Sequence, residues 1–267
     1  MIKPGVTREI LEELYSRLNT REYAHPDPVE LLYQYEGVQD REIAAIIASS
    51  LAYGNVKQIL KSVTSVLQVM GKSPYEFVRR SSNHDLEDAF TGFKHRFTDG
   101  HDLSLVLAGA RSVIERHGSL NNCFLSGLHR SDETVIPGLS AFVAQLAGGP
   151  VSCTYLMPSP AGGSACKRLN LFLRWMVRAD NVDPGGWEGV QASKLVVPLD
   201  THMHRICMEL GLTERKQANL RTALEITDGF RKFAPDDPVR YDFALTRLGI
   251  RTDVSLSDFL GRIDETQ

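Results

Sequence analysis

The chain has 267 residues, of which 42% are hydrophobic and 24% are charged, and its net charge is −3 at pH 7. This length and composition are sufficient for a substantial core, arranged as one large domain or as two lobes. No apolar run is long enough to cross a bilayer, and the first ten residues lack the apolar stretch of a signal peptide. We therefore expect a cytoplasmic protein without a membrane partner. The net charge weakens the case for nucleic-acid binding but allows a local basic site.

The cysteines and the charges limit the kinds of site further. Cys123, Cys153, Cys166 and Cys207 are far apart and include no C-x-x-C pair, which argues against a zinc ribbon or an iron–sulfur cluster. We predict reduced thiols, no metal and no cofactor. One window is locally basic and contains these side chains: Lys167, Arg168, Arg174, Arg178, Lys194, Arg205, His202 and His204.

The hydrophobic spacing is helical almost throughout, and no run alternates as a half-buried strand does. In the first half, Asp27 and Pro28 predict a helix start. Asp40 predicts the start of a buried helix that ends at Gly54, and 56–70 predicts an amphipathic helix closed by Gly71. Further helices are predicted over 103–118, 139–146, 167–178, 201–210 and 216–233, and one is predicted to open at Asp237-Pro238 and end at Gly249. Together these indicate about ten helices and an all-α fold.

Two segments between these helices are irregular. Residues 181–193 contain Asp183-Pro184-Gly185-Gly186 and are typical of a turn-rich insertion. Leu195 to Leu199 is either a short strand or extended chain imposed by Pro198.

The most informative segment is Pro198-Leu199-Asp200-Thr201-His202-Met203-His204-Arg205-Ile206. Asp200 or Thr201 is a suitable N-cap for the helix that follows. A carboxylate at that position lies beside free backbone N–H groups and the positive end of the helix dipole. Such a carboxylate can orient a nucleophile or stabilise a developing cation.

A Gly-rich turn, Pro160-Ala161-Gly162-Gly163-Ser164-Ala165-Cys166, leads into the helix that begins with Lys167. Backbone N–H groups at such a turn can approach an anion closely, and a DNA phosphate is one such anion. Gly163, Ser164 and the neighbouring Arg168 are therefore candidate substrate contacts. Lys167, as a free amine, is a candidate nucleophile.

Together these two segments resemble the helix-hairpin-helix DNA glycosylases, the superfamily of endonuclease III and the 8-oxoguanine glycosylases. Its members carry a hairpin of the form L-P-G-V-G-x-K and then V-D-T-H-V-x-R-x-x-x-R-L-G. Here 198–211 matches the second motif closely, and Gly163 and Lys167 match the first glycine and the lysine of the hairpin. Ala165 replaces the second hairpin glycine. The spacing of 33 residues between Lys167 and Asp200 is similar to that in the archaeal 8-oxoguanine glycosylase branch.

The resemblance extends over roughly 40–70 and 160–250, and the chain also resembles a bacterial family of unassigned function within this superfamily. It implies a two-lobed helical bundle with a helix-hairpin-helix-like element. One lobe would comprise 40–180 with the Gly-rich turn, and the other 1–39 with 195–267 and Asp200. It further implies a monomeric base-excision glycosylase with possible lyase activity, acting on damaged duplex DNA, with RNA as a further possible partner.

The resemblance also implies roles for individual residues. Lys167 would attack C1′ of the sugar, and Asp200 would help to deprotonate it and stabilise the sugar cation. Tyr53 or Asn55 would fill the gap left by the extruded base. Trp187, in a Gly-rich loop, is a candidate for stacking on that base, and His202 is expected to reach the pocket or a phosphate.

Two other functions use the same residues. A non-catalytic DNA- or RNA-binding module would use Lys167 only as a phosphate contact. A metal-dependent hydrolase would use Asp200, His202 and His204 as a D-x-H-x-H ligand set. The helical spacing after His202 weighs against the hydrolase, because it turns the two histidines roughly 200° apart.

Overall fold

The computed structural model describes residues 2–148, 155–250 and 254–265, and within these ranges the chain forms fourteen α-helices and one two-stranded sheet. The prediction of a mainly α-helical fold is confirmed. The α-helices are Arg8–Leu18 (α1), Arg21–Ala24 (α2), Val38–Ser50 (α3), Val56–Met70 (α4), Pro74–Arg80 (α5), Asn83–Ala89 (α6), Gly100–His117 (α7), Leu120–Ser126 (α8), Ile136–Ala147 (α9), Lys167–Val177 (α10), Thr201–Glu209 (α11), Leu220–Arg231 (α12), Asp242–Ile250 (α13) and Leu256–Glu265 (α14). Short 3-10 helices span Pro28–Gln34, Pro160–Gly162 and Ala192–Lys194, and the strands are Lys94–His95 (β1) and Thr98–Asp99 (β2).

Helix α3 is the central helix and packs against α5, α10 and the 3-10 helix Pro28–Gln34. Every residue from Glu42 to Ser50 is buried, so the predicted central buried helix is confirmed. The helix begins at Val38 instead of Asp40, and it ends at Ser50, four residues before Gly54. Asp40 does not start α3 but binds the start of α5. Its carboxylate accepts hydrogen bonds from the Ser73 hydroxyl at 2.6 Å and from the Tyr75 N–H at 3.0 Å.

Helix α4 has the predicted bounds. The side chain of Asn55 accepts a hydrogen bond from the Lys57 N–H at 3.0 Å and so caps the N-terminus. Gly71 ends the helix with a φ of 72°, which a residue with a Cβ rarely adopts. These caps place Tyr53 and Asn55 at the junction between α3 and α4.

The prediction for α13 is wrong at its start. The helix begins at Asp242 and not at Asp237-Pro238. The Asp237 carboxylate does not cap a helix there, because it accepts hydrogen bonds from Arg178 Nε at 3.0 and 3.1 Å. A turn follows, closed by the Asp242 N–H donating to the Val239 carbonyl at 3.1 Å.

The sequence pattern predicted no strand over 94–99, but β1 and β2 form a short antiparallel hairpin there. Arg96 occupies the turn with a φ of 53°, in the left-handed region. Each strand contributes two residues, which is too short to give a period-2 signal. The hairpin leads directly into α7, whose N-cap is Asp99.

Within the described ranges, no strand is formed by 195–199, so the extended alternative holds there. Cys123, Cys166 and Cys207 are buried free thiols, whereas Cys153 lies outside the described residues. A search of the described helices finds none with the length and apolar character needed to span a membrane.

Candidate active site

A cavity of about 710 Å³ lies where α10, α11 and α13 meet the α3–α4 junction and residues 26–28. Both candidate catalytic residues, Lys167 and Asp200, line it. Seven further wall residues have titratable or guanidinium side chains: Asp27, Tyr53, Arg168, Arg174, His202, Asp242 and Arg247. The volume is in the range of small-molecule and cofactor pockets.

Asp200 is the N-cap of α11, as predicted. Its Oδ1 accepts a hydrogen bond from the Met203 N–H at 2.9 Å. This bond fixes the carboxylate at the cavity edge and leaves Oδ2 facing Lys167 Nζ at 3.8 Å. A capped carboxylate is held in one orientation, which suits it for orienting an amine.

Lys167 is the first residue of α10, a helix anchored in the core by its packing against α3. Its Nζ donates to the Ala52 carbonyl at 3.4 Å in addition to the contact with Asp200. The Lys167 and Asp200 side chains are 28% and 35% exposed, so both are held by protein yet open to the cavity. Residues 33 apart in sequence are thus brought together with their polar ends in contact.

The Gly-rich turn lies outside the cavity wall. Gly163 has a φ of 77° and is exposed, as is Ser164. The Gly163 carbonyl accepts a hydrogen bond from the Leu220 N–H at 3.0 Å, and Ser164 forms a β-bridge with Asn219. A phosphate bound at this turn would therefore contact the protein beside the cavity and not within it.

Tyr53 and Asn55 both line the cavity but differ in freedom. The Tyr53 hydroxyl donates to the His95 carbonyl at 2.9 Å and is hydrogen-bonded to Thr98 at 2.7 Å, so its half-buried ring is fixed. Asn55 is exposed at the edge of the cavity, and its side-chain oxygen accepts the hydrogen bond that caps α4. Arg168 lies nearby, with its guanidinium 5.2 Å from the Tyr53 ring centroid.

The prediction that Trp187 stacks on an extruded base is wrong. Trp187 is buried, and it is absent from the cavity wall. Its Nε1 donates to Glu42 Oε1 at 2.7 Å, and its ring packs against three phenylalanines at centroid distances of 5.1–6.3 Å, namely Phe124, Phe142 and Phe172. The loop folds inward because Gly185 and Trp187 donate backbone hydrogen bonds to the end of α10.

The two histidines of the D-x-H-x-H segment lie on different faces of α11. His202 is exposed and lines the cavity, whereas His204 is buried and its Nε2 donates to the Arg215 carbonyl at 2.7 Å. Among the described residues, no three His, Cys, Asp or Glu side chains form a group that could hold a metal ion. His202 is therefore available at the site without His204.

Part of the predicted basic window is not basic surface. Arg174 of α10 and Arg178, the C-cap residue of that helix, are both buried, and both form ion pairs with the buried Asp183. Arg174 also pairs with Asp242, and Arg178 also pairs with Asp180 at 2.8 Å and Asp237 at 3.0 Å. The spacing i, i+4 puts both guanidiniums on the same face of the helix, where the carboxylates neutralise them.

An aromatic and cationic rim at the β-hairpin was missed in the sequence. We define the rim as Tyr53, Arg96, Phe97, Tyr155 and Arg168. Phe97 is 70% exposed, and its ring lies 6.4 Å from that of Tyr155, which in turn lies 5.7 Å from Tyr53. Arg96 lies 5.5 Å from the Phe97 ring. The only sequence signal was the string Lys94-His95-Arg96-Phe97, an aromatic residue among basic ones.

Asp242 was also missed, because in the sequence it is one acidic residue of a helix. In the cavity wall its side chain is buried, and this burial raises the pKa of its carboxyl to about 6. The paired Arg174 opposes this shift in the pKa, while the negative charge of Asp200 adds to it. The cavity wall thus contains three carboxyl groups, Asp27, Asp200 and Asp242, of which Asp242 is the most deeply buried.

Comparison with known proteins identifies the family. No curated protein and no solved structure matches the chain. A family model described as "Protein of unknown function (DUF2400)" matches residues 27–251, a range that includes Lys167, Asp200 and Asp242. The chain belongs to the DUF2400 family.

Proposed function

We propose that the protein is a DNA glycosylase with lyase activity, in which Lys167 is the nucleophile and Asp200 orients and deprotonates it. The observation that carries this proposal is the 3.8 Å contact between Lys167 Nζ and Asp200 Oδ2 at the wall of a 710 Å³ cavity. The two-lobed glycosylase fold with its helix-hairpin-helix-like element is part of the same proposal.

The reaction begins with proton transfer from the Lys167 ammonium to the Asp200 carboxylate. The free amine attacks C1′ of the sugar of an extruded nucleotide, and the bond between C1′ and the base breaks with its electron pair leaving on the base. Opening of the sugar ring then gives a Schiff base between Nζ and C1′. Loss of a proton from C2′ eliminates the 3′ phosphate and cleaves the strand.

The rim supports a nucleic-acid substrate. Base stacking on exposed aromatic rings contributes to single-strand and extruded-base recognition, and guanidinium groups add contacts to bases and phosphates. Phe97 and Tyr155 expose rings next to Arg96 and Arg168 at the cavity side of the hairpin. Lys94, Lys61 and Arg96 line a neighbouring groove of about 320 Å³, which extends the positive charge beyond the cavity.

Borohydride trapping tests the proposal. The protein is incubated with duplexes that contain 8-oxoguanine, uracil or an abasic site, and with a matching RNA duplex, and reduced with borohydride. We expect a covalent adduct with the wild type and with Lys72→Gln, an exposed lysine that follows α4, and none with Lys167→Gln. Salt-sensitive binding without an adduct on any duplex would instead support the non-catalytic binding module.

A further inference from the structure

Asp242 is a buried carboxyl group with one unused oxygen. It is the first residue of α13, is 2% exposed, and lines the same cavity as Lys167 and Asp200. One oxygen, Oδ2, is paired with Arg174 Nη1. The other, Oδ1, is buried and has no hydrogen-bond partner among the described residues. A buried polar atom without a partner is uncommon in folded proteins, and at a cavity wall it is a candidate contact for a ligand.

The surroundings of Asp242 hold more carboxylates than cations. Arg174 is shared between Asp242 and Asp183, and the next guanidinium, Arg178, faces Asp183 and two further carboxylates, Asp180 and Asp237. On the cavity side, Asp200 of the α11 cap adds another negative charge, and the buried Cys207 thiol faces Asp242 from α11. Arg247 of α13 is already paired with Asp27 at 2.7 Å.

This charge balance favours a proton on one carboxyl group. The ion cluster consists of two guanidiniums and four carboxylates: Arg174, Arg178, Asp180, Asp183, Asp237 and Asp242. With all four carboxylates ionised, the cluster would have an excess negative charge inside the protein, which is costly. Asp242 is the carboxyl group of the cluster that lines the cavity, and burial raises its pKa to about 6, so its protonated form is well populated near pH 6 and declines above it. Binding of a base would exclude water and favour the neutral form further.

We propose, on the basis of the proposed function, that Asp242 is the general acid that protonates the departing nucleobase. As Lys167 Nζ bonds to C1′, the bond between C1′ and the base nitrogen breaks and its electron pair moves onto the base. The O–H bond of the Asp242 carboxyl breaks, its proton bonds to the base, and the resulting Asp242 carboxylate stays paired with Arg174. The substrates are bases that leave poorly as anions, such as purines and oxopurines.

If Asp242 is the general acid, it is needed for base excision but not for Schiff-base formation at an abasic site in the same cavity. Removal of a base needs a proton delivered to that base, whereas Schiff-base formation at an abasic site expels water from C1′ and needs no proton at the position of the base, because no base departs there. Asp242→Asn keeps the size of the side chain and a polar contact to Arg174 but removes the transferable proton. Asp237→Asn is the matched control, because it alters the same ion cluster through Arg178 at a position outside the cavity wall.

The experiment measures single-turnover base excision and abasic-site trapping in parallel. We expect Asp242→Asn to excise the base at least about a hundredfold more slowly than the wild type, which is the usual contribution of general acid catalysis, and to trap the abasic duplex within about twofold. Asp237→Asn should keep both rates within about threefold. Excision by Asp242→Asn at the wild-type rate, or equal loss of excision and trapping in a folded variant, would overturn the assignment.

The wild-type pH profile gives a readout that does not depend on the variant. We expect excision to fall as the pH rises from about 6 to 8, while trapping of the abasic duplex does not fall with it. Identical profiles for the two reactions would contradict the role of Asp242 even if Asp242→Asn does not fold. A wild-type protein that traps no duplex at all would refute the proposed function itself, so the two failures are distinguishable.

Discussion

Replacement of Trp187 by phenylalanine tests whether this residue is structural. The change removes the hydrogen bond from Nε1 to Glu42 Oε1 at 2.7 Å and keeps an aromatic ring among Phe124, Phe142 and Phe172. A hydrogen bond to a charged group contributes about 1.5–3 kcal/mol, and this value applies above pH 7, because burial raises the pKa of Glu42 to about 7. The void left by the smaller ring adds to this loss.

Glu42 keeps two other donors, which limits the damage. The Leu120 N–H at 3.2 Å and the Asn121 N–H at 2.9 Å still bind its carboxylate in the Trp187→Phe variant. We therefore expect the free energy of unfolding to fall by about 2–3 kcal/mol. For a chain of this size that corresponds to a decrease in Tm of about 5–10 °C.

Urea unfolding followed by far-UV circular dichroism measures this loss without relying on the deleted tryptophan. Glu42→Gln and the double variant complete a double-mutant cycle, in which we expect a coupling free energy of at least about 1 kcal/mol. Base excision and trapping by folded Trp187→Phe should match the wild type. An unchanged Tm, or a folded variant that no longer binds the duplex, would refute the structural role of Trp187.

Three further predictions concern pH, the core and the rim. Burial raises the pKa of Glu42 from 4.5 to about 7, so between these pH values the native state holds a proton that the unfolded state has lost. The contribution of Glu42 to the free energy of unfolding therefore falls by about 3 kcal/mol as the pH rises from about 4.5 to 7. Glu42→Gln should remove that part of the pH dependence measured by urea unfolding. Phe172→Ala should lower the free energy of unfolding by about 3–5 kcal/mol, because the side chain is fully buried; a Tm close to that of the wild type would contradict the packing of α10. Phe97→Ala should leave the Tm nearly unchanged and weaken duplex binding about 5–150-fold, equivalent to about 1–3 kcal/mol of stacking, as measured by fluorescence anisotropy. Val69→Ala, on an exposed part of α4, should bind normally.

The elements that position the site were largely predictable from local signals. Asn55 and Gly71 bracket α4, and Asp200 caps α11, because such caps act within a few residues of sequence. The contact between Lys167 and Asp200 was anticipated only through the resemblance to the glycosylases. Spacing alone does not report that two helix starts 33 residues apart face each other.

The wrong predictions share a physical cause, which is competition from distant partners. Asp237 was expected to start a helix, but Arg178 binds its carboxylate. Trp187 was expected at the surface because glycines surround it, but those glycines allow its loop to fold back onto the core. Asp242 and Phe97 gave no periodic signal, because their roles depend on the cavity wall and the hairpin tip that the whole fold creates.

Mapping of the trapped adduct tests the central claim most directly. The wild-type protein is reduced with borohydride on an abasic duplex, digested with nuclease and protease, and analysed by mass spectrometry. We predict that the sugar remnant is attached to Lys167 and that Asp200→Asn yields at least about a hundredfold less adduct while remaining folded. Attachment to another lysine or to the N-terminal amine, or no adduct at all, would contradict the assignment of Lys167 as the nucleophile.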